Sequence, residues 1–149
     1  MKKFMKNYTT EVPVERTITE IQTILGQNGA RGIALEYDEQ GCIKDIFFKI
    51  RLHEKELPFR LPSKPDKVYA AVCAGRQYEH RWRNERMKKA EAIAWRICKS
   101  WLEAQITLIN LEQAKLEEVF LPYLVMPSNK TLFETMAHNQ CLLPDKHAA

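Results

Sequence analysis

The sequence predicts a single α+β domain, in which a short three-stranded antiparallel meander packs against an N-terminal helix and a long C-terminal helix. Three observations carry this expectation. Between residues 33 and 61, apolar residues alternate with polar ones in three short runs, the period of half-buried strands. Before and after that region they recur every three or four positions, the period of amphipathic helices. The turns between the runs are short, which joins neighbouring strands antiparallel with one face on a core. The chain has 149 residues, the size of one domain. At that length about 68–70% of the unfolded surface is buried, so no disulfide or metal is needed to hold the fold.

The elements follow in order. Val12-Pro13-Val14 is extended, because proline restricts the residue before it. Thr17-Ile18-Thr19-Glu20 fits a capping box, with Thr17 as N-cap and Glu20 reaching back. Ile18, Ile21 and Leu25 then repeat at helical spacing, so a first helix is expected from residue 17 to about residue 27, stopped by Asn28-Gly29. Ile33, Leu35 and Tyr37 mark the first strand, and residues 38–41 a turn. Ile46, Phe48 and Ile50 mark the second strand. Leu57, Phe59 and Leu61 mark the third, and Pro58 assigns it to an edge. Residues 62–66 open a second helix with Val68, Tyr69 and Val72 on one side and Gly75 at its end. The long helix spans about residues 81–111. Residues 117–121 form a short turn stopped by Pro122. A last helix covers residues 131–137, capped by Ser128 or Asn129. The ends, about 1–10 and 140–149, are expected to be mobile.

Composition narrows the class. Apolar residues make up 45% and charged residues 28%, ordinary for a globular chain. Met1 to Lys6 is basic but has no apolar run, so no secretory signal is expected. No stretch approaches the ~18 apolar residues of a membrane span. A cytoplasmic protein is expected, without membrane contact. Cys42, Cys73, Cys98 and Cys141 are scattered, with no C-x-x-C pair, and read as reduced thiols. Cys73 and Cys98 read further as small buried hydrophobes.

The net charge of +4 is uneven. Residues 76–99 carry eight basic and three acidic residues, a balance of +5, whereas residues 102–149 carry three and six, a balance of −3. A concentrated basic block attracts polyanions.

The faces of the long helix separate at 100° per residue. With Arg81 at zero, Ala90, Ile93, Ala94, Ile97, Trp101, Ala104 and Leu108 fall between about 120° and 220°, one apolar stripe. Arg81, Lys88, Lys89, Arg96 and Lys99 fall between about 340° and 80°, the side expected to be solvated. Arg83 and Arg86, near 200° and 140°, continue the apolar line before its first member. A guanidinium is not buried there unpaired. Either the helix begins only near Glu85, or it overhangs the core and these arginines border a cleft or a partner. Trp82 beside them suits a surface that meets phosphate or stacked bases, and Trp95 and Tyr78 lie nearby in sequence. Leu102, Ile106 and Ile109 fall off the stripe and are expected to form a second, exposed seam for self-association.

No catalytic pattern stands out. His53, His80, His138 and His147 form no His-Glu-x-x-His, and no Cys/His set has structural-zinc spacing. His138, Cys141 and His147 lie in the expected tail. There is no G-x-S-x-G elbow. Five glycines without a Gly-rich loop exclude a P-loop or dinucleotide fingerprint. Glu36, Asp38 and Asp45 could hold a divalent cation, though such residues are more often the solvated side of a strand beside a turn. Arg60, in Phe59-Arg60-Leu61-Pro62, points away from the Phe59 and Leu61 face, to contact a ligand or to pair with Asp45. No metal, cofactor or catalytic residue is expected, and a binding protein is the expected class.

Several spaced phrases go further. Tyr8-Thr9-Thr10, Val12-Pro13-Val14-Glu15, Phe59-Arg60-Leu61-Pro62, Ala94-Trp95-Arg96-Ile97, Trp101-Leu102-Glu103-Ala104-Gln105 and Val119-Phe120-Leu121-Pro122-Tyr123 together resemble a family of small hypothetical proteins of phages and prophages. The resemblance spans roughly residues 8–134. It implies a mobile-element setting and a binding role, and it supplies no functional residues. Three readings are open. The chain engages nucleic acid or a nucleotide-like anion through Arg76, Arg81, Trp82, Arg83, Arg86, Lys89 and Arg60. Or it is an anti-defence protein that inhibits a host nuclease or sequesters a nucleotide signal. Or it is a structural protein that forms a homo-oligomer.

Overall fold

The computed structural model describes residues 5, 10–73 and 80–139, with the side chains of His80 and Arg81 excepted. Most of the expected mobile ends, the Gly75 helix stop, Tyr78, Cys141 and His147 lie outside the described residues.

Helix α1 spans Val14–Gln27, and strands β1 (Ala30–Tyr37), β2 (Ile43–Leu52) and β3 (Lys55–Arg60) follow. Then come α2 (Pro65–Cys73), α3 (His80–Asn110), α4 (Leu116–Phe120), a 3₁₀ turn (Leu121–Tyr123) and α5 (Leu132–His138). The α+β class and the three-stranded antiparallel meander, in the order β1-β2-β3, are those the sequence predicts. β3 is at an edge of the ladder. Beyond it, the Pro58 carbonyl accepts from the Val125 N–H at 2.9 Å. Proline lacks the N–H that an inner strand donates, but its carbonyl is still available.

Alternation fixes the register. Phe48 lies opposite Phe59 across β2 and β3, and both are buried with Ile46 and Ile50. The Phe48 and Phe59 rings stack at 5.5 Å, and Phe120 meets Phe48 edge-on at 5.5 Å. Trp101 extends this cluster to Phe120 and Tyr123. Each such pair adds about 0.5–1.5 kcal/mol beyond its buried area.

α3 is the central element. α1 packs on one side of it and α2 on another. The sheet is clamped by two side chains one turn apart on α3. Glu91 Oε1 accepts from the Ile43 N–H at 3.0 Å, and Trp95 Nε1–H donates to the Ile43 carbonyl at 3.2 Å. Because three elements surround α3, its buried arc is wider than the expected stripe. Ala90, Ile93 and Ala94 are buried, but so are Glu91, Trp95, Cys98, Leu102 and Ile106. Ala104 is exposed. The expected exposed seam is therefore part of the core: Leu102 is 0% and Ile106 9% exposed, and Ile109 packs against them. That observation removes the residues on which self-association through this seam rested. Trp95, at 0% exposure, has no face on which a base could stack.

Two helix starts also differ from expectation. α1 begins at Val14, with Pro13 at the N-cap. Thr17 is buried in the core, and its Oγ1 has no hydrogen-bond partner. Burial of the Thr17, Ile18, Ile21 and Leu25 face outweighs the capping pattern. Thr17→Val, which keeps the shape and removes an orphan hydroxyl, is expected to raise stability by about 1 kcal/mol. Urea unfolding measures this, and a destabilised variant would show that the hydroxyl is satisfied after all. α5 is capped by Thr131, two or three positions after the expected caps, with Glu134 completing a capping box. The turn at Pro122 continues as a 3₁₀ turn rather than ending there.

Glu20, released from the expected box, ties α1 to α3. It receives Arg96 at 2.7 Å and Lys99 at 2.9 Å, with Arg16 at 3.2 Å on its own helix. Arg96 and Lys99, expected on a solvated face, are thus folded into an ion-pair network. Hydrogen bonding from Lys99, then from Arg96 and Arg16, holds the Glu20 carboxyl at about 2, well below its ordinary 4.5, against the opposing effect of desolvation. A carboxyl depressed on folding stabilises the native state above its unfolded pKa, and that contribution is lost as pH falls through the folded value. The melting temperature of the wild type is therefore expected to fall between about pH 4.5 and about pH 2. Glu20→Gln should melt lower at neutral pH and converge with the wild type at the acid end of that window. Parallel curves would contradict the role of this network.

Candidate nucleic-acid interface

The first buried side chain described on α3 is Ala90, yet the helix begins at His80. Among the described residues, its first turns therefore overhang the core. The alternative start near Glu85, with Arg83 in a loop, does not occur. Trp82 is 50% exposed, and Arg83, Asn84, Glu85, Arg86 and Lys88 are exposed beside it. At 100° per residue, Trp82, Arg83, Arg86 and Lys89 share about a third of the helix circumference. Residues 81–89 carry five basic residues against Glu85, a balance of +4. The first turn holds no acidic residue. Arg83 therefore lies at the positive end of the helix dipole, where cations are unfavourable and anions are stabilised.

The other expected site residues divide. Arg81 lies on the first turn of α3, with its side chain outside the description, and Arg76 lies outside the described residues altogether. Lys89 is half-buried and donates to the Thr10 carbonyl. Arg60 belongs elsewhere. It pairs with Glu134 of α5 and lines a separate cleft of about 250 Å³ with Lys44, Asp45 and Phe133. The expected Arg60–Asp45 pair is thus replaced by Arg60–Glu134, because α5 brings a carboxylate to the outer edge of β3. Asp45 is half-buried, and desolvation raises its pKa despite the nearby charges of Arg60 and Lys44.

The carboxylates considered for a cation are arranged for other ends. Glu36 faces Asp45 across the ladder. Asp38 accepts from the backbone N–H groups of Gln40 and Cys42, both at 2.9 Å, which closes the turn. Among the described residues, no group of three His, Cys, Asp or Glu side chains is placed to hold a metal ion. No helix among them is long and apolar enough to cross a membrane.

Glu91 is the residue that sequence reasoning missed. It is 5% exposed and lines a cleft of about 570 Å³ at the base of the overhang. Its only sequence signal is its position one turn before Trp95. Burial, followed by the hydrogen bond and charge of Glu91, pushes the Cys42 thiol up to about 11. Burial pushes Cys98 up to about 12. A nucleophilic cysteine needs the opposite shift. The cleft is lined by Glu11, Glu15, Glu85 and Glu91 against Lys88 and Lys89. Its balance disfavours an anion, so the surface suited to phosphate is the exposed helix face and not the cleft.

Compared with known protein families, with curated proteins and with solved structures, the chain finds no match.

Proposed function

We propose that this chain is a non-enzymatic binding protein of a phage or mobile element that engages nucleic acid through the overhanging first turns of α3. One observation carries the reading. A helix begins well before the residues that pack it, and the projecting part is basic, bears an exposed Trp82 and has no acid in its first turn. Arg83 and Arg86 meet phosphates, and Trp82 offers a face for an unpaired base. The mobile-element setting rests on the resemblance of the sequence phrases alone.

The exposed basic face narrows to fewer residues than the sequence block. Arg96 and Lys99 are engaged by Glu20, and Lys89 is shared with Thr10. About three to five phosphate contacts are then expected, so log K should fall against log salt with a slope of about −2.7 to −4.5 on duplex. A gel shift with single- and double-stranded oligonucleotides across a salt series tests this. Failure to bind either at low salt would end the reading.

A further inference from the structure

We propose that the overhanging end of α3 also docks head-to-tail into an apolar groove on a second copy of this chain. The groove, about 220 Å³, lies between α4, the 3₁₀ turn and α5, and its walls include Leu121, Phe133 and Met136. Leu121 is 48% and Phe133 53% exposed, two of the five large apolar side chains that stand out among the described residues. Trp82 is another. Glu117 and Glu118 form the acidic rim.

Charge complementarity identifies the occupant. Residues 81–89 have a balance of +4, and the charged residues lining the groove, Glu117 and Glu118, are both acidic. A tryptophan flanked by arginines is the composition of an interface anchor. Trp82 fills the groove, and Arg83 and Arg86 meet the rim. Glu117 already holds His53 at 3.2 Å, which leaves exposed Glu118 as the main partner for a guanidinium.

The contact cannot form within one molecule. Trp101 touches Phe120 at the end of α4, with ring centroids 5.9 Å apart. Trp82 precedes Trp101 by nineteen residues of the same helix, roughly 28 Å at 1.5 Å per residue. The helix thus holds its own anchor far from its own groove. Joining different patches of two copies makes a heterologous contact, which grows into rings or open chains instead of stopping at a dimer.

Sedimentation velocity of the full chain from about 10 µM to about 1 mM, in low salt, tests the proposal. The mean mass is expected to rise past that of a dimer, and to fall back on adding about 0.5 M salt. Trp82→Ala and Leu121→Glu should each abolish growth while keeping the wild-type circular dichroism. An equimolar mixture of the two variants should form a 1:1 pair, since one keeps the groove and the other the anchor. A strict monomer, growth unaffected by either variant, or a mixture that stays monomeric would overturn the proposal. The proposal does not depend on nucleic-acid binding. A monomer that binds oligonucleotide removes this inference alone. A chain that assembles as described and binds no oligonucleotide removes the nucleic-acid reading alone.

Discussion

Replacing Trp95 by alanine is expected to destabilise the protein by about 3–5 kcal/mol. The indole is 0% exposed at the centre of the core. It also donates to the Ile43 carbonyl at 3.2 Å, where β2 begins. Truncation leaves a cavity that a close-packed interior closes only partly, and it orphans a carbonyl. For a domain of this size, each kcal/mol lowers the melting temperature by about 2–4 °C. A loss of about 6–20 °C is then expected, against a total stability of about 5–15 kcal/mol. Trp95→Phe keeps much of the volume and loses the hydrogen bond, so its cost should lie well below that of alanine. Urea unfolding measures both. A cost under about 1 kcal/mol for the alanine variant would mean that α3 does not anchor the sheet.

Arg83→Glu combined with Arg86→Glu is expected to weaken oligonucleotide binding about 100-fold at low salt, or about 2.8 kcal/mol at 1.4 kcal/mol per tenfold. The slope of log K against log salt should shrink by about 1.8 on duplex, since two phosphate contacts are lost. Both side chains are exposed, where an ion pair is worth little, so stability should change by no more than about 1 kcal/mol. The contrast is with Arg96→Glu combined with Lys99→Glu. That variant makes the same change in net charge but faces Glu20 with like charge. Its expected result is a less stable fold. If the two double variants weaken binding equally, the site is a diffuse basic surface and not the helix end. Fluorescence anisotropy with a labelled oligonucleotide, beside thermal melts of each variant, separates these outcomes.

Much of the fold is legible in the sequence because strands with one buried face alternate strictly. Ile46, Phe48 and Ile50 announce β2, and a slip of one residue would expose all three. The long helix is legible in extent, from about residue 81 to 111 against His80–Asn110. Its inner side is not. A single helical stripe assumes one neighbour, and α3 has three. Its sheet-facing side contains a carboxylate, Glu91, which no apolar pattern includes. Glu91 is tolerated there because the Ile43 N–H points at it, and that partner lies forty-eight residues away. The same distance in sequence hides the engagement of Arg96 and Lys99 by Glu20. At Thr17 a local capping signal gives way to burial of a whole face. For the candidate site, the line from Ala90 back to Arg86 and Arg83 shows where core residues stop. Only the structure shows that the helix continues past that point.

Chemical-shift mapping by heteronuclear NMR, with a short single-stranded oligonucleotide titrated into the full chain at low salt, addresses the central claim most directly. The amide shifts are expected to concentrate in residues 80–89 and the Trp82 indole N–H, and to leave β2, β3 and α1 unmoved. They should disappear on adding about 0.5 M salt, as an electrostatic contact requires. Shifts centred on the Arg60 cleft or spread evenly over the surface, or none at saturating oligonucleotide, would contradict the assignment of the α3 overhang as the binding surface.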